Sequence, residues 1–212
     1  EELKGKVFAS SEATYVDLSK KRVIINGKKE YSYDNLINTT PLNLFLRLSK
    51  KEEELFALNP VYSILDAFIV AIPKNRMPFT WVYLPEKECR SYRIGNFSLF
   101  SDNYQKNRDL IYVEVSRTSR KRERPTSFPS VLSDICQVCK TLSEEVELIS
   151  SFTIEPAYVV YNQQRNRNLE RIIDSLWEDY AVVSTGRYGG WKYDSMEGAI
   201  FDGMNAVKKI HE

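Results

Sequence analysis

The chain is poor in the residues that most enzymes use for chemistry. Its 212 residues contain a single histidine, His211, one place from the end. A Ser-His-Asp triad, a Cys-His pair or a His-rich metal site built from this chain alone would have only that terminal imidazole, so none is expected. The three cysteines, Cys89, Cys136 and Cys139, are an odd number for a chain this size. They form no disulfide framework and fit a reducing compartment, so the expected location is cytoplasmic. Charge of one sign is also missing: 30 Lys and Arg meet 29 Asp and Glu, a formal net charge of +1. Bulk nucleic-acid binding needs a basic field to displace counterions, so no nucleic-acid partner is expected. No apolar run is long enough to span a bilayer. An initial Met is absent as well. The chain opens Glu1-Glu2-Leu3 and enters a strand-like run almost at once, which reads as a fragment excised from a longer protein.

What is present is an ordinary globular composition. Apolar residues at 42% and charged residues at 28% exclude a disordered, collagen-like or coiled-coil chain. The length allows one large domain or two small ones. Residues 5–38 read as β, starting with Lys6 to Ala9 and Ala13 to Leu18. Arg22 to Ile25 and Lys29 to Tyr33 flank Asn26-Gly27, a hairpin signal because both turn residues tolerate positive φ. Leu36-Ile37-Asn38 is a short apolar strand. Residues 41–58 read as one helix, with Thr40 as N-cap and Pro41 in the first turn.

The apolar, β-branched run 62–72 reads as a buried central strand. Strands are also expected at 79–84, 90–95 and 110–115, then an amphipathic helix over 128–142 and one or two strands in 144–161. A helix over 166–179 carries Ile172, Ile173 and Leu176 on one face, and Ala181 to Thr185 is a short strand. Trp81, Trp177 and Trp191 read as core residues. Glu144-Glu145 and Glu178-Asp179 read as solvated faces. Cys136-x-x-Cys139 sits in a predicted helix without a second ligand pair, so it reads as helix packing or a buried thiol.

The last forty residues hold the sharpest signal. A short apolar strand ends in a loop rich in glycine and aromatics, and a helix follows directly. Asp194 is the expected cap of that helix, with Glu197 closing a capping box. Small residues Gly198, Ala199, Gly203 and Ala206 let another backbone or a flat ligand approach. A helix start aimed at a glycine loop suits an anion or a polar ring edge. A plain strand–loop–helix connection, with glycines placed only for turn geometry, fits the same residues.

The run Gly186-Arg187-Tyr188-Gly189-Gly190-Trp191-Lys192-Tyr193-Asp194-Ser195-Met196-Glu197-Gly198-Ala199-Ile200 resembles the C-terminal flavin-contacting segment of a group of FAD proteins. That group includes UDP-galactopyranose mutases, protoporphyrinogen-oxidase-like proteins and related amine-oxidase-fold enzymes. The hairpin Val23 to Gly27 and the exit Tyr31 to Leu42 resemble the group's passage from the FAD domain to the substrate domain. Trp81 to Glu86, Tyr92-Arg93-Ile94 and Tyr112 to Val115 resemble substrate-domain strands of the mutase-like branch. The resemblance implies a cofactor site at Gly186, Arg187, Tyr188, Gly190, Trp191, Tyr193 and Met196. Arg187 would set the electrostatics of the flavin's pyrimidine end. It also makes Tyr92 and Arg93 candidates for binding the phosphates of a nucleotide-sugar substrate. By residue pattern alone, Arg93 is a solvated strand-face arginine. No catalytic residue and no metal ligand is assigned.

The resemblance leaves one gap. The G-x-G-x-x-G loop that holds the FAD pyrophosphate at a helix N-terminus is absent. The implied fold is mixed α/β (α+β): a mainly antiparallel substrate-domain sheet flanked by helices over 41–180. The terminal pieces 1–40 and 181–212 belong to a truncated FAD/NAD(P)-binding domain and should lie together. The implied protein is an FAD-dependent oxidoreductase or mutase-like flavoenzyme. This piece would neither retain FAD nor catalyse alone, and its expected partners are the missing N-terminal portion and a small-molecule substrate. Apolar surface left by the truncation would favour self-association. Two other readings stand beside it. One is a flavoprotein fold that has lost catalysis. The other is a non-catalytic interaction module whose basic loop 117–124, with Arg117, Arg120, Lys121, Arg122 and Arg124, docks an acidic partner; by residue pattern alone that cluster is an exposed loop, or a site for phosphate or a polyanion.

Overall fold

The computed structural model describes residues 7–100, 107–121 and 123–212. The chain forms two compact units, one of residues 1–60 with 159–212 and one of residues 61–158. We call them the terminal and the central unit. The family-based boundaries at 40/41 and 180/181 thus differ from the divisions by contact. Residues 41–60 and 159–180 belong to the terminal unit.

In the terminal unit, β1 (Ala13–Asp17), β2 (Arg22–Ile25) and β3 (Lys29–Ser32) form an antiparallel three-stranded sheet. The β2–β3 turn holds Asn26 at φ 52° and Gly27 at φ 67°, the left-handed pair that Asn-Gly supplies cheaply. Val7 to Ala9 join no strand, and Lys6 lies outside the described residues. β4 (Leu36–Asn38) pairs in parallel with β10 (Val182–Ser184), so the two ends of the chain do meet.

The stretch 41–58 is not one helix but two, α1 (Leu42–Leu48) and α2 (Glu52–Leu58). Lys50, at φ 55°, breaks the run. Lys50-Lys51 sits at the negative end of the first helix and Glu52, Glu53 and Glu54 at the positive end of the second, so each macrodipole is matched. Pro41 is itself the N-cap and makes no side-chain bond. The Thr40 hydroxyl donates to Asn38 instead. α2 packs on α4 (Gln163–Tyr180), and α4 packs on β10. Leu42, Phe45, Leu46, Ile172, Leu176 and Trp191 are buried here. The chain then makes a single turn of helix, α5 (Gly186–Gly189), where a loop was expected, and ends in α6 (Met196–His211).

The central unit is a five-stranded sheet in the order β6 (Trp81–Tyr83), β7 (Arg93–Asn96), β8 (Arg108–Thr118), β5 (Tyr62–Pro73), β9 (Glu147–Val159). The pairings β6/β7, β7/β8 and β5/β8 are antiparallel. β5 is an interior strand, as its apolar run predicted. One face of the sheet packs on α3 (Leu132–Cys139) through Phe68, Val70, Ile94, Val113, Ile135 and Cys139. The helix expected over 128–142 is thus shorter. Its first turn, Phe128–Val131, is 3-10, and Lys140 ends it at φ 48°.

Alternation along β6, β7 and β8 turns Tyr83, Arg93, Tyr112 and Glu114 to the other face. Trp81, expected in the core, is 49% exposed. Glu145, expected on a solvated face, accepts bonds from Thr141 Oγ1 and the Leu142 N–H, which hold its carboxyl below the usual range.

Candidate functional site

The parallel pair β4/β10 fixes the start of the glycine-rich segment. Ser184 Oγ accepts from Asn38 Nδ2 at 2.8 Å and donates to the Gly189 carbonyl at 2.8 Å. Asn38 Oδ1 accepts from the Thr40 backbone N–H at 3.1 Å and from its hydroxyl at 2.6 Å. Asn38 and Ser184 are buried, and their hydrogen-bonding groups are satisfied by one another and by the loop. Gly189 is the residue packed hardest against this clamp: a Cβ there would sit 2.4 Å from the Asn38 carbonyl oxygen. At Gly190 it would meet the Gly186 carbonyl at 2.7 Å, and Gly186 opens the turn at φ 76°.

Arg165, from the first turn of α4, reaches under the loop. Its Nε and Nη2 donate to the Trp191 carbonyl at 3.1 and 2.8 Å, and its guanidinium lies 4.1 Å from the centre of the Tyr161 ring. Burial lowers its pKa. The Tyr161 hydroxyl accepts from the Tyr193 N–H at 2.8 Å. Arg187 sits within 5.8 Å of the Tyr188 ring centre and 5.2 Å of the Tyr193 ring centre. Lys192 ties the loop to α6 through Asp194 at 3.2 Å and Asp202 at 2.9 Å. Burial pulls Lys192 down, but bonds to the two carboxylates hold it above the usual lysine range.

The cap of α6 is Ser195, whose Oγ accepts from the Gly198 N–H at 3.0 Å, and not Asp194. Asp194 is instead committed to Lys192, which holds its carboxyl below the usual range against the effect of burial.

The predicted cofactor residues therefore separate into three sets. Arg187 and Tyr188 are half-buried, and Tyr193 and Met196 are exposed, so these four offer surface to a ligand. Gly186 and Gly190 shape the backbone. The Trp191 ring is fully buried and belongs to the core. Arg165 was not singled out in the sequence, because its alignment under the loop is a tertiary contact with no local signature.

In the central unit, Tyr92 and Arg93 do come together. Arg93 grips Glu114 bidentately, Nε to Oε2 at 2.7 Å and Nη2 to Oε1 at 2.9 Å, and Tyr92 donates to the same Oε2 at 2.8 Å. The guanidinium lies within 5.8 Å of the ring centres of Tyr83, Tyr92 and Tyr112. Arg93 is thus a paired, half-buried side chain and not a solvated one. Burial and the Glu114 carboxylate push the Tyr92 phenol well above the usual range. Gly95 makes room for Tyr112, whose ring would lie within van der Waals overlap of any Cβ there. Tyr83, Tyr112 and Glu114 were not in the predicted site. Their grouping follows from the registers Tyr83↔Arg93↔Glu114 and Gly95↔Tyr112, which only strand pairing reveals.

The basic loop is less uniform than its sequence. Arg117 is nearly buried against Asp66, at 2.7 and 2.9 Å, and Arg122 lies outside the described residues. All three thiols are free, and among the described residues no group of His, Cys, Asp or Glu could hold a metal. No described helix is long and apolar enough to cross a membrane.

Comparison with solved structures gives the fold a context. A reduced UDP-galactopyranose mutase is 25% identical with a TM-score of 0.78, over 94% of this chain and 46% of its own. A protoporphyrinogen-oxidase-like protein from Exiguobacterium sp. 255-15 is 10% identical with a TM-score of 0.68, over 95% and 47%. A putrescine oxidase variant is 13% identical with a TM-score of 0.62, over 100% and 51%. The chain shares their fold. It spans about half the length of each. No family model matches the sequence. The resemblance drawn from Gly186 to Ile200 and from the hairpin exit is thus borne out at the level of fold.

Proposed function

We propose that the chain is one half of an FAD-dependent flavoprotein of the mutase and oxidoreductase type, carrying the substrate unit and the C-terminal flavin-contacting segment. The observation that carries this reading is the Asn38–Ser184–Gly189 clamp. It fixes a glycine loop and a helix start at the end of a parallel strand pair, in a chain that follows a UDP-galactopyranose mutase over 94% of its length.

Two features support a missing remainder supplied by chain outside these 212 residues. Parallel strands occur almost entirely in larger sheets covered on both faces, yet β4/β10 is a pair among the described residues. On α6, Met196, Ile200, Met204 and Val207 recur at helical spacing, and all are more than half exposed. Further strands and their helices would extend the pair and cover that face.

The donor set fits a flat ring with an anionic edge. Arg187, flanked by two phenol rings, and the buried Arg165 charge make the loop electropositive. Tyr188, Tyr193 and Met196 supply apolar and aromatic surface. Bound flavin would supply the redox or nucleophilic chemistry of such enzymes. This chain's part is to hold the ring edge, stabilise negative charge there and present substrate. On the central sheet, exposed Trp81 and Tyr83 offer stacking faces to a nucleotide sugar. Arg93, neutralised by Glu114, positions Tyr83 through a 3.5 Å contact with its hydroxyl.

The test is the visible absorption spectrum of the full-length protein before and after anaerobic dithionite. Flavin bands that bleach on reduction are expected. A colourless, folded protein that does not take up added FAD overturns the reading.

A further inference from the structure

The central unit has a second polar recess, on the side of the sheet that faces α3. It is a cleft of about 530 Å³, within the range of small-molecule sites. Lys87, Arg90 and Arg124 line it, with Thr126, Ser127 and Ser130.

Two buried carboxylates anchor the segments that line the cleft: Asp66 is neutralised by Arg117, and Asp134 keeps its charge, held by two backbone N–H groups. Asp66 accepts from Nε and Nη2 of Arg117, the Thr126 N–H at 2.7 Å and the Thr153 hydroxyl at 2.9 Å, which pins the 123–127 segment to the sheet. Asp134, in the first turn of α3, accepts the N–H groups of Arg90 and Ser91 at 2.9 and 2.7 Å and pins the segment that carries Arg90. The charged side chains left unpaired in the lining are mainly cationic, although Asp134, Glu86 and Glu88 act on the lining thiol Cys89. Lys87, Arg90 and Arg124 are exposed and make no ion pair among the described residues, and Glu123 is the single carboxylate in the lining.

We propose that this cleft binds the phosphate group of a small phosphate ester, with Arg90 and Arg124 as the principal ligands and Ser127 and Thr126 supplying hydroxyl donors. Arginine forks match phosphate oxygens bidentately, and two of them, on anchored segments of one cleft, would hold one phosphate. The remaining volume exceeds what a bare anion needs and leaves room for the organic part. The site does not depend on the flavoprotein reading: it lies within residues 87–130 and uses none of the loop at 186–196.

The experiment is calorimetric titration of the whole protein at low salt with glucose 6-phosphate, inorganic phosphate and glucose, compared with two double variants. Arg90→Ala with Arg124→Ala removes the ligands. Arg120→Ala with Lys121→Ala makes the same charge change outside the lining. Each Arg contact is a charge-assisted hydrogen bond, so the first variant should weaken phosphate binding by tenfold or more. The second should bind as the wild type does, and glucose should not bind. An ester tighter than free phosphate means that the organic part is held as well; equal affinities mean that the phosphate alone is recognised. No binding of either phosphate compound, or equal loss in both variants, overturns the proposal. Because the Arg90 contact to Asp134 is through its backbone N–H, the alanine variant keeps that anchor.

Discussion

Asn38 and Ser184 are 146 positions apart and share a buried 2.8 Å hydrogen bond. Through it the two ends of the chain are joined where the glycine loop begins. Replacing Asn38 by Ala would leave the Ser184 hydroxyl and the Thr40 N–H without their buried partner. The expected cost is about 1–3 kcal/mol. It would be read as a lower urea midpoint at an unchanged m-value. An Asn38→Ala protein as stable as the wild type would show that the clamp contributes nothing.

Gly189 and Gly203 make a matched pair of glycines with opposite expectations. At Gly189 an added methyl would meet the Asn38 carbonyl oxygen at 2.4 Å, and neither backbone can yield without moving β4. Gly189→Ala should cost about 1–3 kcal/mol and, on the proposed function, reduce flavin uptake by the full-length protein. Gly203 lies inside α6, and a methyl added there would have nothing within 4 Å. Gly203→Ala should stabilise by up to about 1 kcal/mol through helix propensity. Thermal melts of the two variants should therefore move in opposite directions.

Local chemistry made part of this fold legible. Asn26-Gly27 named its own turn, and the unbroken apolar run of β5 named an interior strand. The break between α1 and α2 was also present in the sequence, as lysines followed by three glutamates, but it was hidden by an apolar pattern that runs through it. The site was legible where the backbone is special, at Gly186 and Gly190. It was not legible where it depends on who lies opposite. Glu114 meets Arg93 through the β7/β8 register, and Arg165 meets Trp191 across a turn that no periodicity encodes. Trp191 shows the converse: it sits inside the motif, but its ring faces the core.

Asp66 gives a pH dependence. Burial works against its charged form, but the bonds from Arg117, Thr126 and Thr153 prevail and hold the carboxyl down to about 2. Its folded pKa is below its unfolded one, so its contribution is complete above the ordinary carboxylate pKa and is lost as pH falls toward 2. The contribution is on the order of 2 kcal/mol. Asp66→Asn would remove this dependence and leave Arg117 buried without a counter-charge, at a cost of about 3–5 kcal/mol at neutral pH. Urea midpoints between pH 5 and pH 2 should fall more steeply for the wild type than for the variant.

The three thiols should be distinguishable by reactivity. Cys139 is buried on the sheet-facing side of α3, and burial pushes its thiol up to about 12. Cys89 and Cys136 are half-exposed, with thiols raised more modestly by burial and nearby carboxylates. A disulfide reagent at pH 8 should titrate Cys89 and Cys136 slowly and reach Cys139 only in denaturant. Rapid labelling of Cys139 in the native protein would contradict its place in the core.

Glu114 is the hub of the aromatic cluster, and replacing it by Gln separates its charge from its shape. The Tyr92 phenol is held high first by burial and then by the adjacent carboxylate, which disfavours a second negative charge. Glu114→Gln removes that repulsion. It also leaves the Arg93 guanidinium, 5.6 Å from the Tyr92 ring centre, without its counter-ion and able to favour the phenolate. Both changes act in one direction, so Tyr92 should ionise at lower pH in the variant. The lost bidentate bond should destabilise the protein by about 1–3 kcal/mol. Tyrosinate absorbance followed during an alkaline titration, with Tyr92→Phe in the same background to assign the transition, reads the shift directly. A titration identical to the wild type would mean that Glu114 does not govern Tyr92, and that the cluster is held together by packing and not by charge.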